Sequence, residues 1–150
     1  MIIWISSYPK SGNTYLRSFL AAYYFSKKGK FDFNLLMNIP QFPSIRFSRR
    51  DFLSFSDASK NWIANQKFFF DKEKISFLKT HNSLNKFDNF EFTTEKQSLG
   101  AIYIVRDPRN VITSMCNHYS FNLEYAFEKM SDKNASLSEK ASNGDCSNFT

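Results

Sequence analysis

A nine-residue segment near the start of the chain combines the groups that bind a phosphate or sulfate anion. Residues 6–14 read SSYPKSGNT and lie between an apolar run, residues 2–5, and an amphipathic segment that begins at Tyr15. This order predicts a strand, a loop and a helix, so that backbone N–H groups and the positive end of the helix dipole point at one place. Lys10 adds a full positive charge. We expect the loop to hold a phosphate or sulfate group; the alternative is a polar turn without a ligand.

A second segment places a lysine and a histidine at the end of a short strand. Residues 75–79 alternate apolar and polar side chains except at Leu78, and residues 80–83 have the composition of a turn. The pattern predicts a strand that delivers Lys79 and His81 to its carboxyl end. Imidazole exchanges protons near neutral pH, so His81 is a candidate general base. The alternatives are a hydrogen-bonded structural histidine and a surface lysine.

A third segment joins a buried strand to a capped helix. Residues 101–105 are a continuous apolar run, which predicts a strand buried on both faces of a parallel sheet. Arg106 ends the strand, and Asp107 followed by Pro108 predicts the start of a helix. Arg106 carries a guanidinium fork, which suits a phosphate group. The alternative for Arg106 is an ion pair with Asp107 or another acid.

The remaining patterns predict the elements that position these residues. The helical spacing of apolar side chains predicts helices over residues 14–25 and 58–70, separated by a long, partly packed connection at residues 31–56. On the third helix we expect Arg109 to be solvated and His118 to be a structural residue on the apolar face. Helices that alternate with strands in this way indicate an α/β fold whose ligands bind at the carboxyl ends of the strands.

Composition sets bounds on the class of protein. The 150 residues, 42% of them hydrophobic, suffice for one domain. We assign residues 1–130 to it and expect a loop or frayed tail at residues 131–150, where polar residues predominate. The net charge is +6, and residues 1–50 hold eight Lys and Arg against one acid, which suits an anionic ligand. Cys116 and Cys146 follow no metal-binding spacing and are expected to be reduced thiols.

Several classes of protein are disfavoured. The first apolar run is too short for a secretory signal, and no run reaches the ~18 apolar residues of a membrane span, so we expect a cytoplasmic protein. The pattern of an ATP or GTP site, GxxxxGK[ST], has its lysine after the second glycine, whereas here Lys10 precedes Gly12. A kinase or GTPase is therefore disfavoured. No element interleaves aromatic and basic residues as a nucleic-acid-binding surface does.

Three motifs resemble those of the sulfotransferases that use 3′-phosphoadenylyl sulfate (PAPS). The sequence YPKSGNT at residues 8–14 is similar to the family's 5′-phosphosulfate loop, usually YPKSGTTW. FLKTH at residues 77–81 is similar to a strand that ends in the triplet KTH, and YIVRDPRNV at residues 103–111 is similar to the 3′-phosphate-binding segment. The resemblance implies a P-loop NTPase-like three-layer α/β fold with a parallel sheet. It also implies truncation at the C-terminus, because the family's later Arg-Lys-Gly segment is absent.

The resemblance implies a role for each matching residue. Lys10 would bind the bridging oxygen and the 5′-phosphate of PAPS, where fixed positive charge stabilises the leaving group. The residues that follow would cradle the same phosphate: Ser11, Gly12, Asn13 and Thr14. His81 would act as the general base that takes the acceptor's proton. Lys79 would stabilise the transferring sulfuryl oxygens, with a surface lysine as the alternative.

The nucleotide's other contacts follow from the same resemblance. Arg106 and Ser114 would hold the 3′-phosphate, and Tyr15, in place of the family's Trp, would stack on adenine. The expected reaction is sulfuryl transfer from PAPS to a hydroxyl or amine of a small-molecule or glycan acceptor, with no metal and no nucleic acid. The alternative is a truncated, non-catalytic module that binds 3′-phosphoadenosine 5′-phosphate (PAP) or another anion. The sequence predicts neither the acceptor nor the oligomeric state.

Overall fold

The structure combines strands and helices in one α/β arrangement. The computed structural model describes residues 1–47, 55–69, 71, 73–132, 137–140 and 146–149. In chain order its elements are β1 (Ile2–Ser7), α1 (Asn13–Phe25), α2 (Phe55–Lys60), α3 (Trp62–Gln66), β2 (Ser76–Thr80), β3 (Lys86–Phe87), β4 (Phe90–Glu91), β5 (Ser98–Ile104), α4 (Pro108–Tyr119), α5 (Leu123–Ser131), β6 (Leu137–Lys140) and β7 (Cys146–Phe149). Two 3-10 helices span Phe33–Asn38 and Ile45–Phe47.

A parallel sheet of three strands, in the order β2–β1–β5, positions the predicted site. Ile5 of β1 lies opposite Lys79 of β2 and Ile102 of β5. Ser7, the last residue of β1, lies opposite Ile104, the last residue of β5. The three strands therefore end at the same edge of the sheet, and the expected α/β fold with a parallel sheet is confirmed.

Helices cover the central strand on both faces. Side chains alternate between the faces of a strand, so Ile2 and Trp4 of β1 point to one side and Ile5 to the other. The first side packs against buried residues that include a tryptophan of α3: Phe42, Trp62, Leu78 and Phe92. On the second side Ile5 packs against Ala21 of α1 and Ile39. This arrangement gives three layers.

The helix after the first loop forms where its apolar spacing predicts it. Gly12 precedes α1 with a φ of +102°, a left-handed conformation that favours glycine. Arg17 ties α1 to the chain that follows, because its Nε donates to the carbonyl oxygen of Ile39 (2.6 Å) and its Nη2 to that of Leu36 (2.7 Å). Burial lowers the pKa of Arg17. The connection at residues 31–56 is thus partly packed, as expected, although its residues 48–54 lie outside the described residues.

The predicted start of the third helix is confirmed in detail. The Oδ1 of Asp107 accepts the backbone N–H of Arg109 (2.9 Å), and Pro108 is the first helical residue of α4. The side chain of Arg109 is exposed and forms an ion pair with Asp107, with 2.6 Å between Nη2 and Oδ2. The helix ends at Tyr119, and its cap residue Ser120 has a φ of +57°. The capping residues thus mark the two ends of α4.

The prediction that residues 101–105 are buried on both faces is wrong. Tyr103 is 64% exposed and Val105 is 79% exposed. The reason is the sheet order: β5 is an edge strand that pairs only with β1 in the described part of the chain. An apolar run therefore predicted the strand correctly but not its place in the sheet.

The helix predicted over residues 58–70 is divided into α2 and α3. Asn61 separates them: its backbone N–H bonds to the carbonyl of Ala58 (3.1 Å), and its side-chain amide donates to the carbonyl of Asp57 (2.8 Å). Such local bonds compete with a continuous helical ladder. Phe70 lies outside the described residues.

The chain after α4 contains elements that the sequence analysis did not include. The helix α5 begins at the cap residue Asn122, whose Oδ1 accepts the N–H of Tyr125 (2.8 Å). In the segment expected to be a loop or frayed tail, β6 and β7 pair in antiparallel fashion, with Leu137 opposite Phe149. The other residues of that segment after 132 lie outside the described residues.

Candidate functional site

A cleft of about 430 Å³ lies at the carboxyl ends of the three parallel strands. Its lining combines the first loop, the ends of β2 and β5 and one face of α4: Pro9, Lys10, Gly12, Asn13, Thr14, Gln41, Lys79, His81, Arg106, Ser114, His118 and Tyr119. Three lysine and arginine side chains are in this set, and none of the described residues that line the cleft carries a carboxylate. The cleft is therefore suited to an anion.

The backbone of the loop turns sharply at two residues. Lys10 has a φ of +65° and Gly12 a φ of +102°. Glycine adopts such values readily, whereas for a lysine the left-handed conformation costs roughly 1–2 kcal/mol. The N–H of Ser11 bonds back to the carbonyl of Tyr8 (3.2 Å), and among the described residues no side chain caps α1, whose N-cap residue is Gly12. The loop thus holds a strained lysine beside the uncapped amino end of a helix, an arrangement that suits an anion.

Arg106 joins the loop to the chain after β5. Its Nη1 donates to the carbonyl oxygen of Lys10 (2.9 Å), so the guanidinium group lies against the loop. The alternative of an ion pair with Asp107 is not seen in the described residues, because that carboxylate binds Arg109 instead. The hydrogen bonds from Arg109 lower the pKa of Asp107. The guanidinium group of Arg106 therefore contributes its positive charge to the cleft.

The imidazole of His81 is held by the last residue of β1. Its Nδ1 lies 2.7 Å from the backbone carbonyl oxygen of Ser7 and 3.2 Å from that residue's hydroxyl oxygen. A carbonyl oxygen only accepts, so Nδ1 carries the hydrogen and donates it. In the neutral ring the lone pair is then on Nε2, which is the atom able to take up a proton. The contacts with Ser7 thus fix the orientation of the imidazole ring.

Asn13 supports the same contact from beneath the loop. Only 4% of Asn13 is exposed, and its Nδ2 donates to the carbonyl of Ile5 (3.0 Å) and to the hydroxyl oxygen of Ser7 (3.1 Å). The side-chain donors of Asn13 thus bind β1. They hold together the start of α1, the end of β1 and the contact from Ser7 to His81.

Lys79 is fixed by a residue from the irregular connection. Its Nζ donates to the Oε1 of Gln41 (2.9 Å). The backbone beside it is also paired, because the N–H of Lys79 bonds to the carbonyl of Pro40 (2.9 Å) and the N–H of Phe42 to the carbonyl of Lys79 (2.8 Å). Sequence reasoning missed Gln41, since residues 31–56 show no period that would place it beside β2.

A family model described as the sulfotransferase domain matches residues 2–147 of the chain. The chain belongs to the sulfotransferase family. No curated protein matches the chain. The family match covers every element that lines the cleft, and sulfotransferases transfer a sulfuryl group, so the chain is a transferase of that kind.

Two of the predicted sulfotransferase site residues do not line the cleft. Ser11 is 6% exposed and lies in a smaller neighbouring cavity of about 230 Å³ with Tyr8. Burial raises the pKa of Tyr8. Tyr15 is 82% exposed on α1. The other predicted residues are brought together.

Two further residues of the sulfotransferase cleft come from the end of α4. His118 and Tyr119 both line it, and their rings meet edge to face, 4.6 Å between centroids. The prediction that His118 lies on the apolar packing face is wrong, because the residue is exposed to the cleft. Its spacing of four residues from Ser114 is the signal that could have placed it there.

Two other features were sought among the described residues of the sulfotransferase, a metal site and a membrane-spanning helix. No group of three or more His, Cys, Asp or Glu side chains is arranged to hold a metal ion there. In the same residues no helix is both long and apolar enough to cross a membrane.

Proposed function

We propose that the chain transfers a sulfuryl group from PAPS to a hydroxyl or amine of a small-molecule or glycan acceptor. The observation that supports this most directly is that one cleft gathers residues from three separate motifs. The loop supplies Lys10, β2 leads to His81, and the segment after β5 supplies Arg106 and Ser114. The family match to a sulfotransferase domain gives the class of reaction.

The two ends of the nucleotide would occupy different parts of the cleft. Lys10 and the loop residues Gly12 and Thr14 would bind the 5′-phosphate at the amino end of α1, where the helix dipole is positive. Asn13 would contribute its backbone N–H, since its side chain binds β1. Arg106 and Ser114 would bind the 3′-phosphate. In this proposal Ser11 supports the loop from its buried position, and Tyr15 stacks on adenine at the rim.

The chemical step requires one base and two cations. His81 would take the acceptor's proton on Nε2 as the acceptor oxygen or nitrogen forms its bond to sulfur. The bond from sulfur to the bridging oxygen breaks, and Lys10 would neutralise the charge that develops on the leaving phosphate. Lys79, held by Gln41, would face the sulfuryl oxygens. The proton thus passes to His81, the sulfuryl group to the acceptor, and PAP leaves. The proposed step needs no metal.

The first test is thermal unfolding of the purified protein with PAP, with ATP plus Mg²⁺ as the matched control. PAP at ~100 times its dissociation constant adds about 2.7 kcal/mol to the free energy of unfolding. We expect stabilisation by PAP and none by ATP. Stabilisation by ATP alone would contradict the proposal in favour of the kinase alternative.

Turnover is tested separately with PAPS and a panel of hydroxyl and amine acceptors. We expect transfer that persists in the presence of a metal chelator and is lost in the Lys10→Ala and His81→Ala variants. PAP binding without transfer to any acceptor would instead support the non-catalytic PAP-binding module.

A further inference from the structure

Both histidines of the chain line the same cleft. The sequence contains two histidines, His81 and His118, and they reach the cleft from different elements, β2 and α4. The proposed reaction uses only His81. His118 lies four residues after Ser114, so the two residues are on one face of α4, about one turn apart.

The surroundings of His118 are cationic. The charged groups that line the cleft with it are Lys10 of the loop, Lys79 of β2 and Arg106 after β5. The helix α5 packs on α4 and carries three charged side chains that do not line the cleft: Glu124, Glu128 and Lys129. Three lining cations and no lining carboxylate favour the binding of an anion beside His118.

A bound phosphate would interact directly with the imidazole of His118. A phosphate dianion beside the imidazole favours the protonated ring, which then donates a charge-assisted hydrogen bond. Arg106 lies against the loop through its bond to the carbonyl of Lys10, and Ser114 is one turn before His118. These three donors can therefore surround one phosphate group.

We propose that His118 binds the 3′-phosphate of the nucleotide together with Arg106 and Ser114, and that it takes up a proton when the nucleotide binds. This inference rests on the proposed function and adds a property to it. Nucleotide affinity becomes dependent on pH through a residue that takes no part in the transfer step. By linkage, the contribution of His118 to affinity is largest at acidic pH and disappears as the pH rises and the bound imidazole loses its proton.

The experiment measures PAP affinity by calorimetry for the wild-type protein and for His118→Gln at about pH 6 and about pH 8. Phosphate itself titrates with a second pKa of about 6, so the informative quantity is the ratio of the two proteins' affinities at each pH. A hydrogen bond to a charged group corresponds to roughly tenfold or more in affinity. We expect a wild-type advantage of about tenfold at acidic pH and close to none at alkaline pH.

Three controls make the assignment specific. His81→Gln removes the other histidine and should leave the pH dependence of PAP affinity in place. Adenosine 5′-phosphate lacks the 3′-phosphate, so its affinity should be the same for wild type and His118→Gln at both pH values. His118→Lys keeps a charge at alkaline pH and should bind PAP more tightly than His118→Gln there.

The outcomes separate this inference from the proposed function. PAP binding by the wild type with a ratio near one at both pH values overturns the role of His118 and leaves the proposed function intact. Failure of the wild type to bind PAP overturns both. Proton uptake is read independently from the dependence of the binding enthalpy on the buffer's ionisation enthalpy, and equal uptake in His118→Gln would also overturn the inference. Thermal unfolding without ligand verifies that each variant is folded.

Discussion

Two cavities of this protein differ in size and in the charges that line them. The larger, about 780 Å³, lies beside the first half of β5, and its charged residues carry both signs. We call it the apolar cavity because its lining includes Trp4, Leu84, Phe92 and Leu99. The smaller, about 430 Å³, is the cleft with its three lysine and arginine side chains and both histidines. Of these two, the apolar cavity is the one that volume alone would favour. Convergent polar groups, rather than volume, indicate the site.

The polar groups near the apolar cavity serve the fold. Trp4 donates from Nε1 to the hydroxyl of Ser98 (2.8 Å), and that hydroxyl lies 2.8 Å from the Oγ1 of Thr93. The same Thr93 donates to Gln66 (2.7 Å). These groups satisfy one another, whereas the cleft groups converge on a space at the strands' carboxyl ends. The comparison predicts that substitutions beside the apolar cavity alter the free energy of unfolding. Substitutions in the cleft should instead alter the rate of sulfuryl transfer.

The largest expected effect is on turnover. His81→Ala removes the proposed base, and we expect kcat to fall by about 10³-fold. The matched control is Leu99→Ala, which truncates a 52% exposed side chain at the apolar cavity. Steady-state transfer from PAPS measures both variants. An equal loss in Leu99→Ala would break the comparison, because the apolar cavity would then belong to the site.

The next effect is on stability. Trp4 is 4% exposed and packs against Phe42 and Phe92, with 5.8 and 5.0 Å between ring centroids. We expect Trp4→Ala to lower the free energy of unfolding by about 3–5 kcal/mol. The control is Tyr103→Ala on the exposed edge of β5, expected to change it by about 0.5 kcal/mol or less. Urea denaturation measures the free energy of unfolding of both variants. A Trp4→Ala variant as stable as Tyr103→Ala would contradict the structural role of this region.

A smaller effect concerns the positioning of Lys79. Gln41→Met keeps the length of the side chain but removes the oxygen that accepts from the Nζ of Lys79. We expect about a tenfold fall in kcat with little change in the KM for PAPS, since one hydrogen bond to a charged group is lost. The double variant with Lys79→Met should be no slower than Lys79→Met alone. Additive losses would show that Gln41 acts independently of the lysine.

The smallest effect is at the start of α4. The pKa of Asp107 is lowered in the folded protein by its hydrogen bonds from Arg109, so its contribution to stability is complete above the unfolded-state pKa of about 3.9. That contribution is lost as the pH falls through the lower folded pKa. Asn is also a good cap, so Asp107→Asn should show a shallower loss of stability in acid than wild type. The measurement is the free energy of unfolding of both proteins as the pH falls. An equal loss in Asp107→Asn and wild type would contradict this assignment.

Local patterns in the sequence predicted the parts of the site that depend on neighbouring residues in the chain. The loop at residues 8–14 and the cap at Asp107 form through contacts within a few residues, and the strand that leads to His81 is indicated by its own alternating side chains. Their side chains and turn residues carry the signal directly. Because β2 and β5 both run parallel to β1, Arg106 and His81 then lie at the same edge of the sheet.

The residues that the sequence analysis missed depend on contacts distant in the chain. Gln41 reaches Lys79 only because residues 40–42 run beside β2. The exposure of β5 depends on the sheet order, which an apolar run does not encode. The cleft-facing position of His118 depends on how α4 is rotated against the loop.

By itself, the sequence determined the strand, loop and helix that place Lys10, the strand that leads to His81, and the strand and capped helix on either side of Arg106, because local side-chain patterns and capping preferences carry these signals. Only the tertiary structure decided that Gln41 holds Lys79, that the Asn13 side chain binds β1, and that His118 joins the cleft. The physical reason is that these contacts form only when the packing of the two apolar faces of the sheet fixes the elements against one another.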